Sequence, residues 1–322
     1  MELAAITLVE AFLKAGSGRE TKEQWEYLAD RAGYPGLPDG STREEIGDQI
    51  KKDRASFSER SFWLMAPPKV ESKDGAVLTL VAIYGSKVVK NDKPFWGASE
   101  SRFEVVFGPD SKGSLSGFVP SRSTFAGSLS EVDQFEFVYD RWSELAFSKR
   151  YPSTIRDRWL ALMTQQLYVM AGNSYDESSL NGISVEARVK IQNQTEFFAE
   201  TLDFFDDGRV SRLSTAKDLA DYVTKWPNRS LTNLSEPLVG DPDPDGIIEV
   251  TGQLNSRTEN EEKIIELVVP SRIRVRSDPD RGPEIVWIRG GAVPGSIKET
   301  PKVVPRSERP NSLLRKLFPK KD

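Results

Sequence analysis

The 322-residue chain contains no cysteine and no histidine. Without thiol or imidazole it cannot form a disulfide, a thiolate or imidazole metal site, a Ser-His-Asp or Cys-His nucleophilic pair, or a switch based on the side chain that titrates near neutrality. Long apolar runs are missing too, so no segment reads as a helix spanning a bilayer. What remains open is carboxylate, lysine, tyrosine or serine chemistry, hard cations held by oxygen, or binding without reaction. No catalytic residue is assigned from the sequence, and binding is favoured over catalysis.

Aromatic residues are plentiful. Seven Trp and sixteen Phe argue for packed cores or aromatic contact surfaces, because disordered chains are poor in both. The length gives room for one large domain or two ordinary ones. Residues 2–14 form an apolar stretch, but Glu2 and Glu10 stand where a signal peptide needs a basic start and an uninterrupted apolar run. The stretch reads as an amphipathic helix, and a cytoplasmic location is expected.

Charge is unevenly spread. Residues 291–322 carry a net charge of +5, whereas the whole chain carries -5. An acidic body with a basic tail suggests docking of the tail on its own body, on a second copy, or on an anionic partner.

The pattern along the chain predicts an α+β fold. Residues 1–60 read as a helical N-terminal unit, with helices over 2–14 and 20–32 and a third begun by Ser41 or Thr42, whose first turn holds Glu44 and Glu45. Residues 61–172 read as an antiparallel sheet followed by a long helical connector. Its strands are expected at SFWLMA, AVLTLVAIYG, SRFEVVFG and DQFEFVYD. The connector runs from about Arg141 to Met170, interrupted at Pro152, with Ser153 or Thr154 capping its second part.

The polar stretch 171–182 marks a boundary. Residues 183–290 form a second α+β region, with a strand at VEARVKIQ, a hairpin turning at Asp206, Asp207 and Gly208, and a helix over STAKDLADYVTKW. Residues 291–322 read as a flexible basic tail. No internal repeat occurs at solenoid periods.

Four features bear on chemistry. Asp241, Asp243 and Asp245 alternate with prolines, Gly246 follows, and Glu249 comes three positions later. Carboxylates at alternate positions before a glycine can fold around Ca²⁺, which needs six to eight oxygens. The run resembles the start of an EF-hand-type calcium loop, but its twelfth position is Gly252, so the bidentate glutamate is missing. Any cofactor would be a weakly bound divalent cation, Ca²⁺ or Mg²⁺; otherwise the run is a linker into a strand. Separately, Asp243 with Glu261 and Lys263 fits a short carboxylate and lysine pattern of Mg²⁺-dependent nucleases, which makes phosphodiester hydrolysis the enzyme alternative. Ser214 and Lys217 match the S-x-x-K spacing of penicillin-recognising serine enzymes, but neither K-T-G nor S-D-N occurs, and capping of the following helix is the expected role.

Arg272, Arg274 and Arg276 alternate, so a strand places all three on one face, and Trp287 and Arg289 in the next strand share the same spacing. Arginines beside an aromatic ring can hold phosphates and stack a base, which makes nucleic acid a possible partner; pairing with nearby acids is the plainer alternative. Finally, Leu313, Leu314, Leu317 and Phe318 can align on one side of a helical turn, as a short motif that binds a protein partner or a second copy. The resulting expectation is a non-enzymatic binding or assembly protein, a component or adaptor of a larger complex.

Overall fold

The computed structural model describes residues 1–18, 22–123, 129–173, 194–205 and 207–302. The fold is α+β, with five helices and fifteen strands among the described residues. Two mixed sheets dominate. The first is ordered β2-β1-β7-β6-β5-β3, with β4 also on β5, and uses β1 (Leu28–Gly33), β2 (Ser41–Thr42), β3 (Glu59–Leu64), β4 (Lys69–Asp74), β5 (Val77–Lys90), β6 (Lys93–Phe107) and β7 (Gly113–Ser123). The second is ordered β9-β8-β14-β13-β12-β10. It uses β8 (Phe198–Phe204), β9 (Arg209–Ser211), β10 (Asn228–Asn233), β12 (Ile248–Glu259), β13 (Lys263–Asp278) and β14 (Gly282–Arg289). Here β11 (Leu238–Val239) adds to β12 and β15 (Lys298–Pro301) adds to β13.

The two sheets are copies of one topology, and most of their registers coincide at an offset of 170 positions. Leu28 pairs with Leu115 in the parallel contact of β1 with β7, and Phe198 pairs with Ile285 in the parallel contact of β8 with β14. Phe103 faces Phe118 as Ile273 faces Ile288. Even the irregularity between Glu104 and Val105 recurs between Arg274 and Val275. No solenoid period reveals this, because the unit is a whole domain and few identities survive. Gln24 and Gln194, Ser86 and Ser256, and Ser101 and Ser271 are among those that do.

Each copy has a helix crossing between its second and third strands. In the first copy this is α2 (Arg43–Ala55), entered through a capping box in which Thr42 accepts from the Glu45 amide and Glu45 reaches back, which satisfies orphan donors at the helix start. In the second it is α5 (Arg212–Lys225), capped by Ser211. Each copy is also preceded by a helix, α1 (Glu2–Gly16) or α4 (Ser153–Ala171), with α3 (Glu131–Ala146) packed on α4. Residues 160–171 of α4 are almost all buried. They lie against the strands of the second sheet and against α3, so the usual exposed polar face is lost there. One continuous core joins both copies.

Several expectations are corrected. Residues 20–32 do not form a helix. A 3-10 turn at Gln24–Tyr27 leads into β1, where Leu28 and Ala32 enter the core and the backbone pairs with β7. The stretch DQFEFVYD is not a strand but part of α3. Its alternating Phe135, Phe137 and Tyr139 suggest a two-residue period, whereas the buried set is Val132, Phe135, Val138, Arg141 and Leu145, the three-to-four spacing of a helix face. Ser130 caps it through a box with Asp133. Helix α4 starts at Pro152 with no side-chain cap, so Ser153 and Thr154 lie within its first turn. Residues 1–60, read as helical, supply two strands to the first sheet. The strand expected at VEARVKIQ lies outside the described residues, as does Asp206 of the hairpin turn; the hairpin itself forms between β8 and β9.

Candidate functional site

The arginine strand folds as its spacing requires. Along β13, Ser271, Ile273 and Val275 are buried while Arg272, Arg274 and Arg276 are exposed on the outer face. Register sets Arg274 opposite Trp287 and Arg272 opposite Arg289. The guanidinium carbons of Arg274, Arg289 and Arg272 stand 4.7, 5.2 and 5.6 Å from the Trp287 ring centre, within range of cation–π attraction. Glu249 of β12 accepts from Arg272 at 2.7 Å and from Arg274 at 3.0 Å. Hydrogen bonds from Arg272 first, then Arg274, hold the Glu249 carboxyl below its usual range against the opposing effect of burial. Arg276 pairs with the buried Glu284 at 2.7 Å. The cluster is thus assembled and internally compensated: the aromatic surface a base would need carries guanidinium groups, and three of the four arginines have carboxylate partners.

The aspartate-rich loop does not converge. Asp241 pairs with Arg158 at 2.9 Å, while Asp243 Oδ1 accepts the amides of Asp245 and Ile247, each at 2.9 Å. Gly246 has φ +75°, the left-handed conformation such a turn demands. Glu249 faces the arginines instead. Among the described residues no group of three or more acidic side chains is arranged to hold a metal ion. Asp243 precedes β12 and Glu261 follows it, so a strand of 12 residues, at about 3.3 Å per residue, keeps them apart. Lys263 pairs with Glu299 at 2.8 Å. Ser214 donates its amide to the capping Ser211 at 3.2 Å, so the cap is three residues earlier than expected. Leu313, Leu314, Leu317 and Phe318 lie outside the described residues.

A cavity that the sequence did not suggest opens in the second copy, between the inner face of its sheet, α4 and α5. Its volume is about 490 Å³, and its walls include Tyr168, Leu231, Leu254, Val269 and Ile288, with Tyr222, Asp218 and Arg229 among the polar lining. The first copy carries aromatic rings at the corresponding positions. Where the second has Leu231, Leu254 and Ile288, the first has Phe62, Tyr84 and Phe118. The ladders fix the first of these matches, since Leu231 pairs with Ser256 as Phe62 pairs with Ser86. Phe118 stands 5.0 Å from Phe103, 5.5 Å from Phe12 and 5.8 Å from Tyr34, and Phe62 packs edge-on against Tyr84 at 6.1 Å. Three positions that hold rings in the first copy thus hold aliphatic side chains in the cavity wall.

Arg229 and Arg60 also match in register, each on the third strand of its sheet. Arg60 lies 5.2 Å from the Phe62 ring, and the neighbouring Tyr34 phenol is pushed up to about 12, chiefly by burial and then by Asp53. Arg229 instead borders the cavity, donating one bond to the Trp226 carbonyl at 2.9 Å. Among the described residues it has no carboxylate partner. Burial lowers the proton affinity of its guanidinium and raises the pKa of Tyr222 beside it. Comparison of the two halves, position by position, would have exposed these residues; local motif reading could not.

No family model and no curated protein matches the chain. Among solved structures it is similar to ActVI-ORFA from Streptomyces coelicolor, at 14% identity and TM-score 0.32, over 38% of this chain and 97% of that one. It is similar to a Nuclear transport factor 2 (NTF2-like) superfamily protein from Salmonella enterica, at 13% and 0.33, over 40% and 95%. A third is Aln2 from a Streptomyces species, at 11% and 0.32, over 37% and 88%. Each likeness covers less than half of this chain.

Proposed function

We propose that the protein is a non-enzymatic binding protein whose second copy takes an amphipathic organic anion, with the apolar part in the cavity and the acidic group against Arg229. One observation carries the reading: at matched positions where the first copy has aromatic rings, the second has aliphatic side chains lining a cavity, beside a guanidinium that has no carboxylate partner among the described residues. Apolar walls with a few placed polar groups are the usual make-up of small-molecule sites, and a half-buried cation gains most from a charge-assisted bond to a carboxylate or sulfonate.

The test is titration of the full chain with 1-anilinonaphthalene-8-sulfonate, followed by displacement with dodecanoate. Saturable binding at one site per chain is expected. Ile288→Phe, which restores the ring found in the first copy, and Arg229→Gln should each weaken it by roughly tenfold, ~1.4 kcal/mol, with unchanged circular dichroism. Absence of saturable binding, or binding that ignores both substitutions, would overturn the proposal.

A further inference from the structure

A second cavity, of about 430 Å³, lies at the junction of the two copies. The first sheet contributes Trp63, Gly85 and Trp96, and the second half contributes Gln166 and Asn173 of the α4 end and Asn233 of β10, with Glu131 and Gln134 of α3 completing the lining. Its lining combines apolar side chains (Met65, Val169, Met170 and Leu231) with indoles and amides, and among the described residues no lysine or arginine lines it.

The informative group is Gln166, which is 1% exposed. Its Oε1 accepts from Asn233 Nδ2 at 3.2 Å, and Asn233 Oδ1 in turn accepts from Gln165 at 3.3 Å. The chain of amides ends unpaired on both sides: Gln165 Oε1 and Gln166 Nε2 are buried and have no hydrogen-bond partner among the described residues, and Gln166 is the one that lines the cavity. Buried donors are almost always satisfied, and one left open in a cavity wall points to a group that arrives from outside. At the far side of the lining Glu131 offers a carboxylate, an acceptor only when ionised, which already receives a 3.4 Å contact from Asn173. Trp96, 37% exposed, stands in the lining beside Gly97.

We infer that this junction cavity binds a neutral, hydroxyl-bearing ring, a pyranose sugar or the terminal pyranose of a glycan. Such a ring has a C–H face that packs on an indole. Its hydroxyls each donate and accept, so one molecule can accept from Gln166 and donate to Glu131. An anion is disfavoured, since among the described residues the only charged side chain in the lining is the carboxylate of Glu131, and a phosphate or carboxylate there would be repelled. Because both halves of the chain supply the wall, the site exists only where the two copies meet.

Saturation-transfer NMR and calorimetry on the full chain, with glucose, galactose, mannose and N-acetylglucosamine as probes, test this directly. At least one sugar should bind. Gln166→Leu, which keeps the shape and removes the donor, and Trp96→Ala at the exposed edge should each weaken that sugar by roughly tenfold, the ratio that corresponds to ~1.4 kcal/mol. Binding of the naphthalene dye in the other cavity should stay unchanged. Saturation transfer to none of the four sugars, affinity in both variants unchanged from the parent chain, or binding of adenosine and uridine in place of sugars would each overturn the inference. If Gln166→Leu fails to fold, the exposed Trp96→Ala variant decides alone.

Discussion

Trp63 lies across Gly85 so closely that a β-carbon at position 85 would stand 2.4 Å from its indole. The two residues are neighbours on β3 and β5, with Trp63 paired to Gly85 in the ladder, and Trp63 is only 5% exposed. The glycine is therefore required by contact with a ring and not by a turn. Gly85→Ala should force the indole from its place and lower stability by about 1–3 kcal/mol, the usual penalty of overpacking. Urea unfolding measures this, and an unchanged midpoint would show that the ring has room to shift.

Glu249 couples stability to acid. Its folded pKa lies below the ordinary 4.5, through Arg272 above all. A depressed carboxylate stabilises the fold above its unfolded pKa, and that contribution disappears as pH falls through the folded value. The pair is largely solvated, so the effect is limited to about 0.5–1 kcal/mol after screening. Glu249→Gln should lose this much at neutral pH and show a shallower fall in stability below about pH 4.5. Parallel curves for both proteins would contradict the assignment.

Arg141 is 3% exposed on α3 and donates from Nε to the Pro67 carbonyl at 3.1 Å, while also pairing with Glu144. It fastens α3 to the chain leaving β3. Arg141→Met retains much of the packing volume but leaves the carbonyl unpaired, and should cost about 1–3 kcal/mol. Thermal melting with Glu144→Gln as control separates the roles, because Glu144 is 43% exposed and its loss should cost well under the Arg141 value.

Thr42 holds the start of α2 through the Glu45 amide at 3.3 Å. Thr42→Ala should destabilise by about 1 kcal/mol and Thr42→Ser by only a fraction of that, since either hydroxyl can cap. Equal losses for the two, measured by urea unfolding, would show that the methyl group, not the hydroxyl, matters.

What could be read in the sequence was local. The alternation of Arg272, Arg274 and Arg276 set their face, and Thr42 with Glu44 and Glu45 announced a helix start, because both signals rest on neighbours within a few positions. Phe135, Phe137 and Tyr139 misled, since aromatic alternation outweighed the helical spacing of Val132, Phe135 and Val138. Leu28 and Ala32 needed knowledge of β7, more than eighty residues away, to be recognised as a strand. The cavity beside Arg229 is less legible still. It is a difference between Leu254 and Tyr84 and between Ile288 and Phe118, so it emerges only once the ladders show which residues correspond. Gln166 lies within a helix whose polar residues look like a solvated face until the first sheet is packed nearby.

The parallel closure of each sheet also has a temporal consequence. Leu28 meets Leu115, and Phe198 meets Ile285, so the opening strand of either copy must wait for its partner to be synthesised nearly ninety residues later. Distant pairings of this kind slow folding and leave unpaired edges exposed meanwhile. The first copy, whose strands end at Ser123, can close its sheet while the second is still being translated. On the ribosome, every strand of the first sheet is made before β8 begins.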